Sequence, residues 1–428
     1  MERPATVGEG DRGFTERDAD DPERAADALA SGRRGGGPLA GEAMTAALGA
    51  SGTVAGGHGR TAPPLLRMEG KAPLRLLDDA PLVAETPETL LDDDVTPADR
   101  MFVRNNGTIP APLATDPKAW RIRVDGEVDA PLDLSLGEVE ARFEAVTLRL
   151  QMECGGNGRS GLHPPTPGVP WGNGAISNAE WTGVRLRDLL RAAGLKDTAR
   201  HTGHFGADRA LDDPDRQAMS RGMPVEKAMD DTTLVAFRMN GAPLPHLHGH
   251  PVRLVVPGWP GSLSQKWLTR IALLREPHTG PGMGGTSYRL PTLPLAPGTP
   301  SDGRDFADMT SMPVRSVLTN LAAGTRLPSG TRRLSLRGHA WAGDLTVSAV
   351  HASADFGATW TEMAVAPPPN RHAWQRWSGA LDLPSDGHFE VWYRATDSAG
   401  RSQPHVAGNW NPGGYGANAM GRVAVLVG

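Results

Sequence analysis

The sequence predicts a mixed α+β domain followed by an all-β sandwich of immunoglobulin-like type. Three observations carry the prediction. Between residues 115 and 275, stretches that alternate apolar and polar residues are interleaved with stretches of helical apolar spacing. Beyond about residue 300 only short β-type runs remain, separated by turns. Finally, 53 glycines and 38 prolines among 428 residues favour short strands over long helices.

The elements follow in order. Residues 1–65 are poor in bulky apolar residues, too few to offset the entropy of ordering, and read as a disordered leader. Within it Arg33-Arg34 precedes a weakly apolar Gly/Ala stretch, the look of a degraded twin-arginine export signal, interrupted by Glu42. That points to a periplasmic protein; the alternative is a cytoplasmic one with a chance Arg-Arg pair. From Trp120, WRIRVDGEV reads as a half-buried strand with an Asp-Gly turn. DLSLGEVEARF has helical spacing, with Asp133 or Ser135 to cap it. VTLRLQME alternates again and delivers Cys154 at a strand end. VRLRDLLRAAGL is a short amphipathic helix closed by Gly194. HPVRLVVPGW is an apolar strand ended by Pro-Gly, and His246, His248 and His250 alternate as strand neighbours on one face. A proline-rich passage follows Tyr288. RRLSLRGHAWAG, DLTVSAVHASADFGATW, WQRWSGALDL and HFEVWYRATDSAG are then the strands of the sandwich. The predicted limits are 95–300 for the first domain and 310–428 for the second.

A net charge of −5 and a pI near 6.2 supply no global field for nucleic acid, so attraction for an anionic partner has to be local. No apolar run approaches the roughly 18 residues a membrane span requires. The single cysteine excludes an internal disulfide.

That cysteine, Cys154, lies in LQMECGGNGRSGLHPP. Chemistry alone leaves three readings: a small buried hydrophobe, a nucleophile, or a thiolate metal ligand. Glu153, Gly155, Gly156, Asn157 and Arg159 describe a loop in which glycines let the backbone approach a bulky cofactor and a guanidinium favours the thiolate. The three histidines suggest zinc as a competing site, but no carboxylate or cysteine stands at suitable spacing.

ECGGNGRS, followed by GVPWGNGAISNAEWTGVRLRDLL, resembles the molybdenum-cofactor domain of the sulfite oxidase family. FVRNNGTIP and MNGAPLPHLHGHPVRLVVPGWPGSLSQKWLTRI extend the likeness upstream and downstream. RGHAWAG, ADFGATW, RATDSAGRSQP and WNPGGYGANAM are similar to that family's dimerisation domain. The resemblance implies molybdenum held by molybdopterin, with Cys154 as the protein's ligand to the metal, a soft donor for a soft site. It implies catalytic roles for Arg104 and Arg159, whose planar forks suit an oxyanion, for Trp171 in the pocket wall and for Tyr288 as hydrogen-bond or proton-relay group. Asn105, Asp208, His248, Arg253, Ser264 and Lys266 are implied cofactor contacts.

The implied activity is oxidation of a small anionic sulfur compound, sulfite to sulfate, by oxo transfer. No haem segment is visible, so electrons would pass singly to a c-type cytochrome, and the enzyme would be a homodimer. The chain departs from the family's animal members at Gly413 and Asn106, where those carry arginine and histidine. Fewer cations favour a weaker hold on a dianion or another substrate, hence the alternative of a sulfane dehydrogenase subunit acting on carrier-bound sulfur. A cofactor-free β-sandwich binding protein is the alternative from a different class.

Overall fold

The computed structural model describes residues 63–408 and 410–428. The leader with Arg33-Arg34 lies outside the described residues, apart from Pro63–Leu65 at its end. The folded unit starts earlier than residue 95. β1 (Arg75–Asp79) and β2 (Leu82–Glu85) form a three-stranded antiparallel sheet with β3 (Val103–Arg104), in which Val83 faces Arg104. Arg104 and Asn105 therefore sit on and just beyond a short strand fixed by residues some 20 positions upstream.

Two five-stranded sheets form the body of the first half. One has the order β5-β4-β13-β8-β9, built from β4 (Arg121–Gly126), β5 (Leu132–Ser135), β8 (His201–Gly206), β9 (Ser220–Pro224) and β13 (Leu268–Leu274); only β4 and β13 run parallel. The other has the order β11-β10-β7-β6, from β6 (Ala145–Glu153), β7 (Ile176–Arg185), β10 (Leu234–Met239) and β11 (Ala242–Pro243), with β12 (Arg253–Val255) also pairing β10. Alternation in WRIRVDG puts Ile122 and Val124 into the first sheet's core, 1% exposed each.

α1 (Leu136–Arg142) begins at Ser135, which accepts from the Glu138 amide while Glu138 reaches back to the Ser135 amide, a capping box; of the two expected caps, Ser135 is used. α2 (Leu186–Ala192) buries Leu186, Leu189 and Leu190 and is followed by Gly194 at φ 69°. The strand expected at His246–His250 is not there. His246–His248 is a 3-10 turn ended by Gly249 at φ 105°, so the histidines fan around a turn and do not share a strand face. His246 Nε2 bonds the Pro110 carbonyl while His248 faces Lys71. The proline-rich passage also contains structure: β14 (Arg289–Pro291) pairs with β15 (Phe306–Asp308).

The second half is the expected sandwich, made by one sheet that folds over on itself. Its eight strands are β16 (Arg315–Leu318), β17 (Thr325–Leu327), β18 (Arg333–Trp341), β19 (Val347–Ser353), β20 (Thr361–Val365), β21 (Gln375–Asp382), β22 (Gly387–Asp397) and β23 (Gly421–Val427). They follow the order β16-β18-β21-β20-β19-β22-β23-β17. β20 is the corner: Met363 pairs with Val350 on β19, and Ala364 with Ser378 on β21. Leu336, Val350, Trp377, Val391 and Ala395 fill the space between the two layers. A smaller core of Leu91, Ile176, Val317, Trp341 and Trp374 mixes residues of both halves.

Candidate active site around Cys154

β6 ends at Glu153 and hands Cys154 to a loop that its own backbone closes. The Cys154 amide donates to Ala175 O at 2.9 Å, the Asn157 amide to Cys154 O at 2.9 Å, and the Gly158 amide to Gly172 O at 2.6 Å. Gly158 has φ 84°, and a Cβ there would meet the Arg315 guanidinium at 2.5 Å, so the turn needs glycine on both counts. Asn157 is fully buried and ties the loop together, donating to Glu153 Oε1 at 2.9 Å and accepting from the Ala175 amide at 3.1 Å.

Cys154 is half-buried and lies at the join of two cavities. Arg104 and Tyr288 line both as well. The first cavity is walled by Asp208, Arg253, Ser264 and Lys266, and by Met101, Phe102, Asn106, Ser262 and Gln265. The second, about 340 Å³, is walled by Arg159, Trp171, Gly413, Tyr415 and the exposed Pro167–Gly168 turn. Burial pushes the thiol above its ordinary range, and Arg104 and then Arg159 pull it back. The expected thiolate-favouring field is therefore present, but desolvation outweighs it.

The catalytic candidates fall together. Arg104 Nη1 is buried without a partner. Arg159 donates through Nε and Nη2 to Gly413 O at 3.1 and 2.8 Å and through Nη1 to Val169 O at 2.8 Å, so its fork is turned largely on backbone. Trp171, 1% exposed, packs edge-on against Phe102 with centroids 6.0 Å apart. Tyr288 stacks on Tyr415 at 4.8 Å and 21°. The Arg221 guanidinium lies 4.4 Å from the Tyr288 ring.

Around the first cavity the cations outnumber the acids. Lys266 Nζ donates to Leu247 O at 2.9 Å and to Asn105 Oδ1. Arg253 is buried with no carboxylate; it donates to His248 O and Ser264 O at 2.9 Å each and contacts Met152 Sδ at 3.1 Å. Behind them Lys71 Nζ lies 2.6 Å from His248 Nε2. Burial lowers every one of these bases: Lys71 to about 7, Arg253 to about 9, and Lys266 and His248 well below their ordinary values. Asp208 is the one acid on this wall among the described residues, pushed up to about 6 by burial.

Residues 107–281 match the oxidoreductase molybdopterin binding domain family, and residues 307–428 the Mo-co oxidoreductase dimerisation domain family. Sulfite oxidase of Gallus gallus is 33% identical over 360 residues, covering 82% of this chain and 77% of that protein. The mitochondrial sulfite oxidase of Rattus norvegicus is 33% identical over 376 residues, 83% of this chain and 66% of that protein. Among solved structures, the sulfane dehydrogenase SoxCD of Paracoccus pantotrophus superposes with a TM-score of 0.67 at 26% identity, over 81% of this chain and 84% of that one.

The chain belongs to the sulfite oxidase family. It is an oxidoreductase with a molybdopterin-binding domain, and the family's cofactor passes a test on this chain's own residues. Burying Lys266, Arg253, Lys71 and His248 together costs free energy that Asp208 beside Lys266 and Asp99 beside Lys71 return only in part. A pterin phosphate provides the missing charge, and the unpartnered Ser262 Oγ provides a further donor. Arg253, Ser264, Lys266 and Asp208 face the cavity as the family resemblance implies. Ser264 Oγ already accepts from the Val256 amide at 3.0 Å, which leaves its hydroxyl proton to donate.

Two implied cofactor contacts stand behind the wall. Asn105 spends its carboxamide on Leu82 O, at 3.0 Å, and on Lys266, so it aims the lysine. His248 turns its ring to Lys71 and offers its own carbonyl to Arg253. Sequence reasoning missed Lys71, Arg221, Tyr415 and the Glu153–Arg315 pair. Tyr415 stood inside the quoted WNPGGYGANAM, and its being one of three tyrosines was the available signal. Lys71 lies in a segment without periodicity and carried none.

Proposed function

We propose that this member of the family oxidises sulfite to sulfate with water as oxygen source and passes the two electrons singly to a c-type cytochrome. Bound molybdenum would supply oxo transfer and two-electron redox chemistry there. The chain's own residues do the rest. Cys154 would hold the metal as thiolate. Lys266, Arg253, Ser264 and Asp208 would hold the pterin and its phosphate. Arg104 would receive an oxygen of the incoming anion on its free Nη1 edge, and Trp171, Tyr288 and Tyr415 would limit the water around it. The observation that carries this reading is the placement of Cys154 between a cation-rich, carboxylate-poor cavity and a second cavity lined by Arg159, with Arg104, which keeps an unpartnered nitrogen, at the join of the two.

Residues 307–428 match a dimerisation domain, which supports a homodimer. Export through the Arg33-Arg34 leader is the compatible location. Purified protein with about one molybdenum per chain that reduces cytochrome c only when sulfite is added is the expected result. Molybdenum-replete protein inert toward sulfite would end this reading. A second reading, oxidation of carrier-bound sulfur, is favoured by the likeness to SoxCD and by the open Pro167–Gly168 rim; it predicts activity only with a sulfur-loaded carrier protein.

A further inference from the structure

The second cavity is larger and less charged than a bare sulfite ion requires. We propose that it is shaped for an organosulfinate, R–SO2−, a sulfur oxyanion with one negative charge and an organic substituent, which the enzyme oxidises to the sulfonate. This rests on the sulfur-oxyanion reading above and names its substrate class.

The charge inventory comes first. Arg104 and Arg159 are the cations of this wall, and no carboxylate lines it. Arg159 is committed to Gly413 O and Val169 O, and its cation lies 5.4 Å from the Tyr415 ring. Arg104 keeps a buried nitrogen without a partner. One guanidinium with an uncommitted nitrogen matches the single negative charge of a sulfinate better than a dianion.

Tyr415 decides what accompanies that charge. A Cβ on Gly413 would lie 2.2 Å from Tyr415 Cε2, so no side chain can project from 413 while the ring stays where it is. Tyr415 replaces any group at 413 with an aromatic surface, extended by its stacking on Tyr288. Tyr415 lines the same cavity as Cys154 and Arg159, which places it at the reaction end. Pro167, Val169 and Pro412 add apolar wall that is at least partly exposed. Sulfite would leave Pro167 and the accessible part of Tyr415 uncovered, whereas an aryl or alkyl group covers them.

The chemistry balances. A sulfinate sulfur keeps the lone pair that sulfite has and a sulfonate lacks. One sulfur–oxygen bond forms with oxygen from water, two protons and two electrons leave, and R–SO2− becomes R–SO3−. The electrons go to two equivalents of a one-electron acceptor.

The test uses the full-length, molybdenum-replete enzyme with ferricyanide and either benzenesulfinate or sulfite. The expected result is benzenesulfonate as product, two ferricyanide reduced per sulfinate, and a higher kcat/KM for benzenesulfinate than for sulfite. Tyr415→Ala should lower that ratio about tenfold or more, the scale of a lost apolar contact wall. Calorimetric titration gives a readout apart from turnover: benzenesulfonate should bind the wild-type enzyme about tenfold more tightly than sulfate. Sulfite oxidation without benzenesulfinate oxidation, or benzenesulfonate binding no tighter than sulfate, overturns the proposal and leaves the sulfite reading standing. Oxidation of neither compound by molybdenum-replete enzyme overturns both.

Discussion

Arg315 Nε lies 3.3 Å from Glu153 Oε1, with both side chains almost wholly buried. Glu153 immediately precedes the Cys154 thiol, and Arg315 opens the first strand of the sandwich. Trp341, also from the sandwich, donates to the other carboxylate oxygen at 2.8 Å, and Arg315 continues to Asn157 O at 2.9 Å and Asn173 Oδ1 at 2.8 Å. The second half of the chain thus grips the Cys154 loop from behind. Removing one partner of a buried pair strands the other charge. Arg315→Gln should therefore cost about 3–5 kcal/mol in a chemical-denaturation experiment. Glu153→Gln in the same background should recover part of that loss, and strictly additive costs would show that the two groups do not act as a pair.

Cys154→Ser should remove most molybdenum-dependent turnover and leave the fold intact. The hydroxyl is a harder, weaker donor than a thiolate, while the proposed pterin contacts at Arg253 and Lys266 remain on the cavity wall. Circular dichroism should match the wild type, and released pterin should still be detected by fluorescence. Unchanged turnover would remove the metal-ligand role.

Arg104→Gln should raise KM for an anionic substrate by about 1.5–3 kcal/mol, the value of a charge-assisted hydrogen bond. Steady-state kinetics at several ionic strengths checks it. A KM that stays constant throughout would mean that the free Nη1 edge does not meet the substrate.

Lys266 is held far below its ordinary pKa by burial first and by Arg253 second. A base with a depressed folded-state pKa contributes stability at high pH that is lost as pH falls through the folded value. At pH 7 in cofactor-free protein, Lys266→Met should therefore raise the melting temperature while abolishing retention of the cofactor. Calorimetry and molybdenum analysis on the same preparation read the two effects, and a lowered melting temperature would contradict the account.

Asp208 gives the opposite slope. Its carboxyl is raised from 3.8 to about 6, so its contribution to the stability of the cofactor-free protein is full below pH 3.8 and is lost as pH rises through about 6. Asp208→Asn should flatten the stability profile between those values and gain up to about 3 kcal/mol at pH 7, from roughly 1.4 kcal/mol per pKa unit. Denaturant melts across pH 4–7 would show an unchanged slope if the carboxyl were not desolvated.

Local pattern carried much of this molecule and failed where long-range contacts decide. Ser135 was legible as one of two candidate caps, and VTLRLQME as a strand, because cap chemistry and alternation are encoded within a few residues. RLLDD and LVAE carry no clean alternation, since β1 is half-buried on both faces, and the sheet that fixes Arg104 went unread. HLHGH alternates in letters yet forms a turn, because Pro245 and Gly249 impose backbone geometry that a period-two count does not see. The Cys154 thiol, Arg253 and Lys266 were legible through family motifs. Their supports were not: Trp341 lies 188 positions from Glu153 and Lys71 lies 177 from His248, separations that no local window spans.

The β16 and β18 side chains that reach Glu153 make the C-terminal half something other than a detachable module. A truncation after residue 306 would leave a buried carboxylate without its counter-ion one peptide bond from Cys154. Expression of the first half alone should yield aggregated or cofactor-poor material, and grafting it onto a foreign oligomerisation scaffold would fail for the same reason. Exchange between relatives would have to carry Arg315 and Trp341 along with the loop that they secure.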